Sequence, residues 1–173
     1  MNPRALRSER RYNSRHGKRR QAHAARQDLQ GQLRQEAAAA LQEDQQARLR
    51  PLLATGAILA AAAVALGAFG AHGLKSRLSA EMLAVWGTAV QYHFWHALGV
   101  LAIALAAAQL PGAWVRAAGW LLVAGTALFS GTLYALALGA PRALGAITPV
   151  GGALLIAGWL AFAVSVIFSR TPA

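Results

Sequence analysis

The stretch LLATGAILAAAAVALGAFG, residues Leu52–Gly70, decides the fold, because it carries no charged residue in 19 positions. At about 1.5 Å per helical residue it reaches about 28 Å, close to the hydrocarbon thickness of a bilayer. Three more apolar stretches follow it. The stretch from Met82 to Leu110 is uncharged but longer than one crossing needs. Its start reads as an interfacial turn or tilted lead-in, and its spanning part as residues 89–110. Pro111-Gly112 is a strong breaker. The third span is read as residues 117–138, closed by Gly139, Ala140 and Pro141, and the fourth as residues 149–168, stopped by Ser169-Arg170-Thr171-Pro172. Trp86, Trp114 and Trp120 fall near these span ends, where amphipathic rings favour the headgroup region. Loops this short join antiparallel neighbours. The expectation is an all-α membrane protein whose four transmembrane helices form an up-down-up-down bundle behind a basic N-terminal extension.

Composition agrees: 56% of residues are hydrophobic and only 13% charged, where a soluble domain has about a quarter charged. Residues 1–50 hold twelve of the 17 Lys and Arg and five of the six acids. After them come only Lys75, Arg77, Arg116, Arg142 and Arg170 against Glu81, for which a surface ion pair with Lys75 or Arg77 is the expected role. With the tail inside, Arg48, Arg50, Arg116 and Arg170 are cytoplasmic, and Lys75, Arg77 and Arg142 lie opposite. That margin is thin until the nine basic residues from Arg4 to Arg26 are added. Both termini are therefore expected in the cytoplasm.

No cleavable secretory signal is expected, since the first apolar run begins only at Leu52 and is too long for a signal core. Residues 1–26 are Arg-rich and acid-poor like a mitochondrial presequence, but they lack its apolar face. Residues 27–50 are Gln- and Ala-rich, with Leu29, Leu33, Ala37 and Leu41 at helical spacing. The extension is read as largely disordered or partly helical, or as an over-extended reading frame, separate from a membrane domain at residues 51–170. Its charge suits anionic lipid headgroups. Phosphates of nucleic acid attract the same charges, but nucleic acid is not the expected partner.

Apolar helices in lipid gain nothing from the hydrophobic effect when they meet, so small residues and polar contacts hold them together. The third span places Gly119, Val123, Thr126, Ser130 and Tyr134 on one face; the fourth places Gly151, Gly152, Leu155, Gly158, Phe162 and Ser165 on another. With Gly67 and Gly70 on the first span, these are the expected packing positions.

Ionisable residues in the spans are few and hence candidates for function. His93 and His96 are three apart on the second span, behind Gln91 and Tyr92, and His72 ends the first. With Ser130 and Tyr134 they form the candidate polar cluster. The imidazoles can serve structure, ligate a metal or haem, or relay protons. Two His are an incomplete zinc site, cysteine is absent, and no Asp or Glu lies in a span. No cofactor and no enzymatic activity are expected, since no phosphate loop, Ser/His/Asp set or metalloprotease motif is present. The residues leave three readings open: a non-enzymatic accessory or structural subunit packing against itself or a larger complex, a small transporter or channel for an ion or metabolite, and metal or haem binding through His96 with His72 or His93.

Four strings, Gly67–Leu74 (GAFGAHGL), Thr88–Tyr92 (TAVQY) leading to His96–Leu98 (HAL), Leu128–Tyr134 (LFSGTLY) and Thr148–Gly152 (TPVGG), resemble the small membrane-protein family catalogued as domain of unknown function 423. The resemblance covers residues 52–168. It implies an integral membrane protein, in bacteria of the inner (plasma) membrane, without an established activity. His72, Gln91, Tyr92, His96 and the Thr148–Gly152 turn fall on the family's pattern, and residues 1–50 lie outside it.

Overall fold

The computed structural model describes the backbone of residues 3–110 and 112–169, and within those ranges the side chains from Arg26 onward. Expectations that rested on the side chains of the polybasic arm, on Pro111 and on Arg170-Thr171-Pro172 lie outside the described residues. The chain divides into two compact units, residues 1–45 and 46–173.

Four α-helices follow one another: α1 (Pro3–His72), α2 (Ala80–Ala106), α3 (Ala113–Ala137) and α4 (Thr148–Ile167), with a short 3₁₀ helix at Arg142–Ala146 before α4. All four carry stretches long and apolar enough to cross a membrane. In the first unit, residues 27–45 are helical, and Leu29, Leu33 and Leu41 lie exposed along them.

The second compact unit begins at Gln46, ahead of Pro51. Leu49 is buried with Leu52 against Val100, Ile103, Val115 and Leu122, so apolar packing begins ahead of Pro51. Pro51 stands inside α1. Having no N–H, it leaves the carbonyl four residues back without its helical donor.

The second span also differs from its reading as residues 89–110. Helix α2 starts at Ala80 because Ser79 caps it, its Oγ accepting from the Met82 N–H at 3.2 Å. Glu81 lies in the first turn, where a negative charge complements the helix dipole. It forms no ion pair with Lys75 or Arg77. The other end tightens through the bonds Ala108 N–H to Leu105 and Gln109 N–H to Ala106, so the helix ends before Leu110. Helix α3 closes with Gly139 at φ 96°; Ala140 N–H reaches the Ala135 carbonyl and Gly139 N–H the Leu136 carbonyl. This Schellman closure needs a left-handed residue that glycine adopts without strain. The 3₁₀ turn and Pro149, in the first turn of α4, then redirect the chain.

Neighbour contacts set the helix directions. Along α1, Gly56, Gly67 and Gly70 face Leu101, Val90 and Trp86 in turn, so α1 and α2 are antiparallel. Gly99, Tyr92 and Trp86 of α2 meet Leu122, Phe129 and Tyr134 of α3. Gly158, Leu155 and Gly151 of α4 meet Leu122, Gly125 and Phe129 of α3. Gly119 of α3 also meets Leu52 of α1. The order is up-down-up-down, with α3 touching each of the other three helices.

These approaches are close. A Cβ at Gly119 would lie 2.5 Å from Leu52 Cδ2, one at Gly158 2.7 Å from Leu122 Cδ2, and one at Gly151 would collide with the Phe129 backbone N. Gly152 only borders the Phe129 ring at 3.7 Å. Thr126 is buried, but its hydroxyl donates to the Leu122 carbonyl of its own helix at 2.7 Å. Across α3 and α4, the hydroxyls of Thr132 and Thr148 lie 2.8 Å apart, in hydrogen-bond contact.

Candidate functional site

Helix α2 turns His93, His96, Ala89, Ala97 and Val100 inward, the three- and four-residue spacing of one helical face. Ser130 on α3 lies within the same bundle interior, only 1% exposed. Tyr134, one turn further along α3, is half-buried. The polar groups resolve into two neighbouring clusters rather than one.

The first is built around Trp86, His93 and Tyr134. His93 Nδ1 and the Tyr134 hydroxyl share a 3.3 Å hydrogen bond. Tyr134 leans on Trp86 with ring centroids 4.6 Å apart, and Trp86 meets Phe69 edge-on at 6.0 Å. The Trp86 indole donates to the Leu66 carbonyl at 3.0 Å, tying α2 to α1. His93 Nε2 and Ser130 Oγ are both buried without a hydrogen-bond partner among the described residues. A buried imidazole nitrogen of this kind can exchange a proton or a hydrogen bond with a small polar molecule, and leaving it unmatched is costly.

The second cluster holds His96. Its Nδ1 lies 2.7 Å from the Tyr92 carbonyl; a carbonyl only accepts, so Nδ1 carries the hydrogen and Nε2 is the acceptor. Tyr92 stacks on His96 at 5.8 Å and 20°, and packs against Phe129 at 4.7 Å. Trp159 of α4 approaches the same imidazole at 6.3 Å.

His72 and Gln91 stay outside both clusters: His72 is exposed at the end of α1, and Gln91 is exposed on α2. His93 and His96 engage different partners, on Tyr134 and on Tyr92 with Trp159, so the structure does not pair either with His72. Among the described residues no three His, Cys, Asp or Glu converge on one point. The free Nε2 atoms are the atoms that could meet a metal or haem iron.

Trp86 corrects the sequence reading most sharply. Its place near a span end suggests the headgroup region, yet it is 4% exposed and sits in the bundle. Once α2 begins at Ala80, Trp86 is two turns inside the helix. The signal was present in Gly70, where a Cβ would lie 2.6 Å from the Trp86 ring. Trp114 and Trp120 do face outward. Sequence reasoning also missed Gly99, which receives the Trp159 ring, and Gly125, which receives Leu155.

Residues 66–152 match the family described as Protein of unknown function (DUF423). A UPF0382 membrane protein of Bacillus subtilis, YwdK, is 47% identical over 120 residues, covering 69% of this chain and 98% of the relative. The chain belongs to this family. Another UPF0382 membrane protein, from Haemophilus influenzae, is 42% identical over 109 residues, covering 62% of this chain and 86% of its own length. The UPF0382 inner membrane protein YgdD of Escherichia coli is 39% identical over 104 residues, 60% of this chain and 79% of its own length. No solved structure matches significantly. The protein is a multi-pass membrane protein of the DUF423 family, and the family match spans both polar clusters except Trp159. This chain also carries sequence that the Bacillus relative lacks, since nearly all of that relative is matched by about two thirds of this chain.

Proposed function

We propose that this DUF423 protein is a non-enzymatic accessory or structural subunit of the inner (plasma) membrane, with both termini in the cytoplasm, associating with further copies of itself or with a larger membrane complex. One observation carries the reading: the interior is filled by interlocking side chains. Leu52, Trp86, Leu122, Leu155 and Trp159 occupy the space that glycines on neighbouring helices leave. The hydroxyls of Thr126, Thr132 and Ser165 donate to their own helices' carbonyls, and Thr132 also accepts from the Thr148 hydroxyl. A bundle closed in this way presents its outer faces, rather than an internal path, to whatever it serves. The basic arm adds attraction to anionic headgroups, about 1 kcal/mol per Lys or Arg at the surface. Crosslinking in native membranes is the test. A stoichiometric partner or homo-oligomer is expected, and monomers alone at physiological abundance would refute the proposal.

A transport reading draws support from the unpartnered His93 Nε2 and Ser130 Oγ. It requires flux in liposomes across an ion and metabolite panel that falls in His93→Ala. Absence of flux across the panel rules it out.

A further inference from the structure

We propose that the groove between α1 and α2 is a binding site for one anionic glycerophospholipid, with its phosphate at Lys75 and an acyl chain laid against Gly67, Gly70, Gly87 and Val90. The groove encloses about 510 Å³ and is open on one side, a volume within the range of small-molecule pockets. Its mouth is the loop after α1, and its floor descends along α2 from Leu83 to Gln91, about 12 Å by helical rise. Three observations specify the occupant.

The first is charge. Lys75 lines the groove and has no ion-pair partner among the described residues. An ammonium at the mouth of a groove lined, apart from Gln91, by apolar residues is complementary to a phosphate held at headgroup level.

The second is shape. A Cβ at Gly87 would meet nothing within 4 Å, so this wall of the groove is open to a hydrocarbon chain.

The third is Gln91, whose side chain is exposed on a membrane-spanning helix and makes no hydrogen bond among the described residues. An amide facing hydrocarbon without a partner is unfavourable. Side chains on a helix lean towards its N-terminus, which for α2 is the Lys75 end. The amide is thereby turned towards the mouth of the groove, where its N–H can donate to an ester carbonyl of a lipid whose phosphate is at Lys75. A second copy of the chain fits less well, because symmetric docking on this face would set two Lys75 ammonium groups at the same level of one interface. The assignment does not depend on a protein partner being found.

The test is native mass spectrometry of the full-length protein in mild detergent, titrated with phosphatidylglycerol or phosphatidylethanolamine of identical chains. The wild type is expected to retain one phosphatidylglycerol per chain with a several-fold preference. Lys75→Gln should bring the two lipids to parity, while Arg77→Gln, which removes the same charge outside the groove, should keep the preference. A Cβ at Gly87 meets nothing within 4 Å, so Gly87→Leu puts its side chain into the groove and should abolish retention of both lipids with an unchanged helical content and unfolding midpoint. Equal retention by the wild type, a preference that survives Lys75→Gln, or lipid retained by Gly87→Leu would each overturn the site. So would a wild-type dimer that Gly87→Leu dissociates, which would give the groove to a second copy.

Discussion

Replacing Gly151 by alanine adds a single methyl group, and its position makes the consequence calculable. The new Cβ would collide with the backbone N of Phe129 and lie 2.8 Å from its Cα. A side-chain tip could rotate away, but backbone atoms of α3 cannot, so α3 and α4 must separate. Separation also loosens the Gly125–Leu155 and Gly158–Leu122 contacts on the same interface. Overpacking of this kind costs about 1–3 kcal/mol, and the backbone collision places Gly151→Ala in the upper half of that range. A loss of about 2 kcal/mol lowers the folded-to-unfolded ratio about 30-fold. Two other glycines calibrate the result. At Gly67 the Cβ would meet only Val90 Cγ1, at 3.3 Å, and at Gly131 nothing within 4 Å. Gly67→Ala should then change stability by a few tenths of a kcal/mol, and Gly131→Ala should be neutral or gain up to about 1 kcal/mol in helix propensity. Reversible unfolding of the purified protein by SDS titration in mixed micelles reads all three. If Gly151→Ala is as stable as the wild type, or the order of the three is reversed, the close-approach account of the bundle is wrong.

Two further perturbations bear on the polar contacts. A double-mutant cycle on Thr132→Val and Thr148→Val should give a coupling energy of about 0.6 kcal/mol, the usual scale for hydroxyl bonds between membrane helices; strict additivity would mean the 2.8 Å pair does not join α3 to α4. Tyr134→Phe removes the partner of His93 Nδ1 and leaves the imidazole with no hydrogen bond at either nitrogen. It should cost about 1–3 kcal/mol in the same SDS titration, and an unchanged midpoint would argue that the buried ring does not need its phenol.

The architecture was legible because hydrocarbon thickness imposes a length on every span, and Leu52–Gly70 meets it without a single charge. The packing faces were legible for the same kind of reason: with no hydrophobic effect between helices in lipid, the small residues mark the contacts, and Gly70, Gly119, Gly151 and Gly158 are all buried. What stayed hidden was which large side chain enters each gap. Nothing local to Gly99 points to Trp159, sixty positions away, or to Gly125 as the seat of Leu155. The uncharged stretch from Met82 exceeds one bilayer crossing, so its first residues read as an interfacial turn or tilted lead-in; the Ser79 cap makes them part of α2. Trp86 therefore lies within the helix and is buried in the bundle. The polar cluster was half legible. Periodicity put His93 and His96 on one helix, but their partners, Tyr134 across the bundle and the Tyr92 carbonyl on the same helix, depend on tertiary structure. Gln91 fell outside the cluster because it lies two residues before His93, on another side of the helix.

The central claim, that this protein works by associating with another membrane component, is tested most directly by native mass spectrometry of the endogenous protein released from its own membrane in small lipid patches. The account predicts a defined complex, either a homo-oligomer or a fixed stoichiometry with a second protein. A bare monomer as the sole species, under release conditions that keep known membrane complexes intact, would contradict it.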